Sequence, residues 1–380
     1  MRFLSRFAVA SALCFAAPAL YAQGALSLQG FGYPGGEIST RALGSGGSLA
    51  DFDANSPINP AALLVGSRAT VYLQYDPEFR WVTGTGLNTN TVTARFPLFL
   101  ISGKMGQARF SLSYASFLDR TWTNTYQDTQ VVGTLRVPST VTAVSSGGIS
   151  DIRAAMSWTF SSRLTVGAAI HVFPGQNHIV FGRAFPSDST SFGAFAQTST
   201  FNYSGSAVSF GLIATPIDHI NLGVSGRYGF SMHVHEGDST TVGDANVPNR
   251  ISFSGAYDGI TGTILSARYG IEKWSAMRGL GSAGLSVFDA TEFSAGLETG
   301  GPRIGAIPIA VRLGYRARQL PFGVGAQQVS ETEFTGGVGI PLSSGRAALD
   351  LSIAHALRSA NVGLSETGWI FSLGIAIKPY

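Results

Sequence analysis

From Ala69 to the end, the chain repeats a single pattern: about a dozen residues in which apolar and small or polar side chains strictly alternate, followed by a cluster of Gly, Asn, Asp, Ser or Pro. Alternation with period two is the signature of a strand with two different faces, and the clusters read as turns. Ile152, Ala154, Met156, Trp158 and Phe160 fall on one face, with Arg153, Ala155, Ser157 and Thr159 on the other. The next segment sets Leu164, Val166, Ala168, Ile170 and Val172 against Thr165, Gly167, Ala169 and His171. Val208, Phe210 and Leu212 form a similar set, as do Ile220, Leu222 and Val224, Ile251 and Phe253, and Leu349, Leu351 and Ile353.

A soluble β-sandwich also alternates, but its outward face is rich in Lys and Glu. Here the second face is small and weakly charged: only 12% of residues are charged, there are 48 glycines, and the mean hydropathy is +0.20. No segment past the N-terminal leader is long and apolar enough to cross a membrane as a helix. A closed barrel reconciles these facts, because lipid-facing residues alternate with lumen residues and hide the hydrophobicity from any running average. The expected fold class is all-β: a transmembrane antiparallel barrel of about fourteen strands, each of nine to eleven residues, in the bacterial outer membrane.

Both ends fit that reading. Arg2 and Arg6, the apolar run from Phe7 to Leu20 and the small Ala22 compose a cleaved secretory signal over residues 1–22. Removing it takes away Cys14, the single cysteine, and so excludes disulfides and thiol chemistry. It also lowers the formal charge from +3 to about +1, which suggests no nucleic-acid partner. At the other end Trp369, Phe371, Leu373, Ile375 and Ile377 share a face, and the chain stops at the aromatic Tyr380, the kind of final strand that barrel-assembly machinery reads. Tyr380 is out of phase with that face, with Pro379 between. Trp81, Tyr114, Trp158, Tyr228, Tyr257, Tyr269, Trp274 and Trp369 lie near strand ends, where headgroup anchoring is expected.

Residues 23–68 do not alternate. They are glycine-dense and lightly charged, and Asn59-Pro60-Ala61-Ala62-Leu63-Leu64 reads as a short capped helix. Such a segment gains most by lying inside the barrel, which makes 23–68 a plug and 69–380 the barrel. The run Thr40 to Gly47, then Asp51, Asp53 and Asn55, then Asn59-Pro60-Ala61, resembles the N-terminal hatch of the FadL family of outer-membrane transport proteins. Val247-Pro248-Asn249-Arg250 through Tyr257 to Glu272-Lys273-Trp274-Ser275 is similar to that family's late strand pair. Val311 to Arg316 and Phe371-Ser372-Leu373-Gly374 continue the resemblance. The PorV-like proteins share a similar start. The resemblance implies a fourteen-stranded barrel plugged by its hatch, a hydrophobic or amphipathic substrate such as a long-chain fatty acid, and a hatch movement that lets it leave sideways. Gly44, Gly46, Gly47, Asn59, Pro60 and Ala61 are then hatch or gate residues. The outer loops are short for that family's capture groove. A PorV-like secretion scaffold and a general diffusion porin are the alternatives.

No enzyme chemistry stands out. His233 and His235, with Glu236, Gly237 and Asp238 behind them, read as a hairpin tip, not a metal site, and His171, His178, His219 and His355 are scattered at rim or lumen positions. Gly44-Ser45-Gly46-Gly47 lacks the Lys-Ser/Thr of a phosphate loop. No cofactor or metal is expected. Arg227, Arg268, Arg312 and Arg316 fall on the small-residue face with Glu272, Glu298 and Asp350. They are expected either to form salt bridges across the lumen or to pair with a substrate carboxylate. The other expected partners are membrane lipid and the assembly machinery.

Overall fold

The computed structural model describes residues 32–378 apart from 66–68, 85–86, 133, 187–192, 238–239, 281–285, 306, 361–362 and 364. The expected signal sequence (1–22) with Cys14, the expected start of the plug, Asp238, Pro379 and Tyr380 lie outside the described residues.

A two-residue strand β1 (Tyr33–Pro34) and a helix α1 (Thr40–Gly44) precede 3₁₀ turns at Ala50–Phe52 and Pro60–Leu64. The sheet then runs β2 (Thr70–Gly84), β3 (Leu87–Arg95), β4 (Leu98–Met105), β5 (Ala108–Asp119), β6 (Trp122–Val132), β7 (Leu135–Ser161), β8 (Leu164–Ala184) and β9 (Phe195–Ile217). It continues through β10 (Ile220–Glu236), β11 (Thr240–Asn246), β12 (Arg250–Ile260), β13 (Thr263–Glu272), the 3₁₀ helix Trp274–Leu280 and β14 (Ala290–Ile304). The last four are β15 (Ile307–Val324), β16 (Gln327–Leu342), β17 (Ala347–Ser359) and β18 (Ser365–Ile377). All neighbours are antiparallel, and β18 pairs back onto β2, from Ser365↔Thr83 to Ile377↔Val71, closing a 14-strand barrel.

Three walls of the barrel are broken strands. β3 and β4 part at Phe96-Pro97, β5 and β6 at Arg120-Thr121, and β11 and β12 at Val247-Pro248-Asn249. Two of these breaks hold a proline, which cannot donate to a ladder. The side-chain alternation sorts the residues as the period-two pattern requires. Leu112, Ile170, Phe210, Phe253, Leu313 and Phe334 point outward and exposed, whereas Ser113, His171, Ser209, Ser252, Arg312 and Thr335 are buried inside. A continuous apolar exterior of that kind faces lipid. No helix among the described residues is long and apolar enough to cross a membrane. The turns after β4, β7, β9, β12 and β16, each of two to four residues, lie with the end of β18 and the start of β2 at one end, which the architecture makes periplasmic.

Three sequence expectations need correcting. β7, β8 and β9 have 27, 21 and 23 residues, not nine to eleven. At about 3.3 Å per residue β7 spans roughly 90 Å, far more than an apolar band of about 25 Å, so these strands continue past the membrane as paired hairpin arms where the sequence suggested only short loops. Trp274 is no headgroup anchor: it is 3% exposed and packs inside the long-loop end. His355 faces outward and not into the lumen; it sits beside the outward Trp369, ring centroids 4.5 Å apart.

Candidate functional site

Residues 32–65 run against the inner faces of strands all round the barrel, and their polar groups meet wall residues one by one. Tyr33 sits in a nest of charge: Arg318 and Arg358 each donate to its hydroxyl at 2.9 Å, and the hydroxyl donates to Glu331 at 3.1 Å. Burial pushes the Tyr33 phenol up to about 12 against the pull of Arg358, so it stays a neutral donor. Arg358 also reaches Glu78 at 2.8 Å. Glu37 accepts from Arg227 at 2.9 Å and from Arg250. Burial would raise its carboxyl, but these two guanidiniums outweigh it and hold the group well below the usual carboxylate range.

Deeper in the lumen, Ser39 caps α1, its hydroxyl accepting from the Ala42 amide. Arg41 grips Glu298 of β14 with two bonds of 2.9 and 2.7 Å, the fork geometry of a guanidinium on a carboxylate. Asp51 accepts from Arg268 of β13 at 2.9 Å and from Ser225 of β10 at 2.7 Å. Thr40 donates its amide to the Tyr72 hydroxyl at 2.9 Å and shares a 2.7 Å bond with Ser372.

All four arginines singled out from the sequence face inward, and each guanidinium holds two carboxylates. Arg227 takes Glu37 and Glu272, Arg268 takes Asp51 and Glu292, Arg312 takes Glu298 and Asp350, and Arg316 takes Glu292 and Glu333. Glu272, Glu298 and Asp350, expected on the same face, are among these partners. The geometry is that of a cross-linked lumen with the N-terminal segment tied in.

The Asn59 side chain accepts from the Ala61 amide at 3.0 Å, and Pro60 opens the 3₁₀ turn, a tighter form than the helix expected. Close approach here depends on glycines in the wall as much as in the segment. A Cβ on Gly211 would fall on Asn59 Oδ1, one on Gly167 on the Pro60-Ala61 backbone, and one on Gly314 on the Ser45-Gly46 backbone. Gly44 lies against Gly337, while Gly46 and Gly47 have φ of +69° and +86° and turn the chain after α1. His233 and His235 lie on the β10–β11 arm, where His233 pairs with Asp244 at 2.6 Å; no metal-binding cluster occurs among the described residues.

Sequence reasoning missed Tyr33, Glu37, Glu78, Arg95, Glu331 and Arg358. The signal was present as charges two apart in one strand, Glu78 with Arg80, Arg316 with Arg318 and Glu331 with Glu333, since period two puts such a pair on one face. Between this ionic belt and the segment lies a cavity of about 170 Å³, lined in part by Tyr33, Glu37, Arg95, Arg250, Arg316 and Glu333. Toward the long-loop end the lumen turns apolar. Trp274 stacks on Phe117 at 5.1 Å and 16°, beside Phe173, Met277, Leu320 and Phe322.

The wall itself is incomplete at one place. The β4–β5 ladder ends at Leu98↔Ala115, with one further bond from the Ser116 amide to the Pro97 carbonyl at 2.9 Å. Beyond it β3 pairs with β2 alone and β6 with β7 alone, so among the described residues their facing edges have no strand between them. β11 also has a free edge, but the 3₁₀ helix Trp274–Leu280 covers it. A hollow of about 440 Å³ lies between β3 and the end of β5, lined by Val92, Ala94, Phe96, Tyr114, Leu118 and Ile149 among others.

These features define a membrane-spanning β-barrel of fourteen strands, filled by its own N-terminal segment and unzipped on one side. Solved structures share this fold. A FadL homologue of Pseudomonas aeruginosa is 12% identical, with 92% of this chain and 99% of that one covered and a TM-score of 0.62. The CymD monoaromatic hydrocarbon channel is 12% identical, with 94% and 99% covered and a TM-score of 0.57. The Ralstonia pickettii toluene transporter TbuX is 14% identical, with 95% and 99% covered and a TM-score of 0.53. No family model matches the sequence, and no curated protein matches it.

Proposed function

We propose that this chain moves hydrophobic or amphipathic small molecules across the bacterial outer membrane, admitting them at the long-loop end and releasing them sideways between β3 and β6. The observation that carries this reading is the unpaired stretch of wall beside a lumen packed with ion pairs. An apolar solute crossing that belt would have to part buried, paired charges, which is costly. The gap offers a way out lined by Val92, Phe96, Tyr114, Leu118 and Ile149. Two paired carboxylates on each candidate arginine favour a structural role over one in binding a substrate carboxylate, Arg227 and Arg268 tying the plug to the wall and Arg312 and Arg316 bridging wall strands. The same filling speaks against a general diffusion porin. The fold neighbours CymD, a monoaromatic hydrocarbon channel, and TbuX, a toluene transporter, support the substrate class, and both long-chain fatty acids and single-ring aromatics belong to it.

The test is uptake by proteoliposomes. Purified protein should speed entry of a labelled fatty acid or of toluene over protein-free vesicles, while a small hydrophilic sugar enters no faster. Equal rates for every solute with and without protein would end the transport reading.

A further inference from the structure

We propose that Arg95 and Asp119 form the latch of the gap between β3 and β6, an inference that takes its physiological meaning from the transport reading above. Elsewhere, apart from the helix-covered edge of β11, adjacent strands are held by ladders of backbone bonds. Here the ladder stops at Pro97 and Ser116, and the next link across the opening is a side-chain pair, Arg95 Nε to Asp119 Oδ2 at 2.9 Å. Arg95 is the last residue of β3 and Asp119 the last of β5, so the pair ties together the two strand ends at which the wall parts.

The latch also reaches the plug. Arg95 Nη1 donates to Glu78 at 3.0 Å, and its guanidinium lies 5.1 Å from the centre of the Tyr33 ring. The neighbouring residues of the plug are bonded to the other side of the opening: Tyr33 and Pro34 pair with Asp119 and Leu118, and the Gly35 amide donates to the Phe117 carbonyl. Asp119 is in turn oriented by the Thr121 amide at 3.0 Å. One guanidinium therefore contacts β3's neighbour β2, the far lip of the gap and the plug. Arg95 lines both the lumen cavity and the hollow in the wall. Withdrawing Tyr33 removes a face on which Arg95 rests, and parting Arg95 from Asp119 frees the lips, so plug displacement and gap opening are coupled through this residue.

The test needs a readout that does not depend on transport. Cys14 is the sequence's single cysteine, so protein prepared without the leader and carrying Ala94→Cys has one thiol at the gap. Its maleimide labelling rate should rise at least fivefold on Asp119→Asn and on Arg95→Gln, and return close to the parent rate with Asp119→Glu. Heat-modifiable gel mobility identifies the folded barrel, and either variant that folds suffices. An unchanged labelling rate in a folded Asp119→Asn or Arg95→Gln barrel would overturn the latch. In vesicles the same variants should take up the apolar solute faster than the parent. Should the parent move no solute while labelling still responds, the latch stands and the transport reading falls.

Discussion

Arg268 Nε lies 2.9 Å from Asp51 Oδ2, joining β13 to a residue 217 positions earlier in the chain. Asp51 is wholly buried, and Ser225 also donates to it. Asp51→Ala strips one carboxylate from Arg268 and leaves Glu292. Removing a partner from a buried pair costs about 3 kcal/mol or more, and here the cost falls on seating the segment. Residues 32–65 should become protease-sensitive while the barrel keeps its heat-modifiable gel shift. A segment as resistant as in the parent would show that Asp51 anchors nothing.

Glu37 sets the acid limit of that seating. Its carboxyl ordinarily titrates near 4.5 and is depressed when folded. A depressed carboxylate contributes stability that is complete above the unfolded value and is lost as pH falls through the folded one. Protease resistance of the segment should thus be flat from pH 8 to 5 and decline progressively once pH falls below 4.5. Glu37→Gln should lower resistance at neutral pH and remove Glu37's share of the acid dependence. Loss of resistance between pH 7 and 5 would contradict the assignment.

Trp274 stacks on Phe117 in the apolar cluster at the long-loop end, a position from which it would seal the lumen. Truncating a buried aromatic costs about 3–5 kcal/mol, here drawn from a loop element lying outside the closed ladder. Trp274→Ala should leave a folded barrel with raised planar-bilayer conductance, and Trp274→Phe should restore most of the seal. Conductance equal to that of the parent would mean the plug alone blocks the lumen.

Wall glycines give a steric test. Gly211→Ala and Gly314→Ala place a methyl group on the plug's own atoms, whereas Gly103→Ala meets nothing within 4 Å. The first two should raise conductance or abolish the folded band, and the third should do neither. Asn59→Ala, which removes one cap bond, should cost roughly 1 kcal/mol and raise conductance less than Gly211→Ala does. The reverse order would place the gate at the cap and not at the wall.

Much of this was legible in the sequence. Period two separated Leu313, which meets lipid, from Arg312 and Gly314, which meet the lumen, and Asn59-Pro60 announced its capped turn. The four arginines were assigned their inward face because a strand offers a side chain only two directions. What could not be read was contact between distant segments. Nothing near Glu37 in the chain announces Arg227 and Arg250, and Trp274 carries no mark telling an inward aromatic from an interfacial one. The strand lengths misled because a hairpin arm beyond the membrane alternates like a membrane strand. The gap, too, depends on which edges fail to meet, a property of register and not of residue type.

Thr40 touches Tyr72 on β2 and Ser372 on β18, the two strands that meet last in chain order. Joining them closes a loop of nearly the whole wall, the step with the greatest loop-closure entropy. The segment's other bonds reach round the circumference, from Ser225 of β10 and Arg268 of β13 to Ser372 of β18, so the seam is bridged from within as well as by its own ladder. Thr40 stands at that seam as a clasp, so the segment that fills the lumen also holds the two strands whose pairing completes the wall.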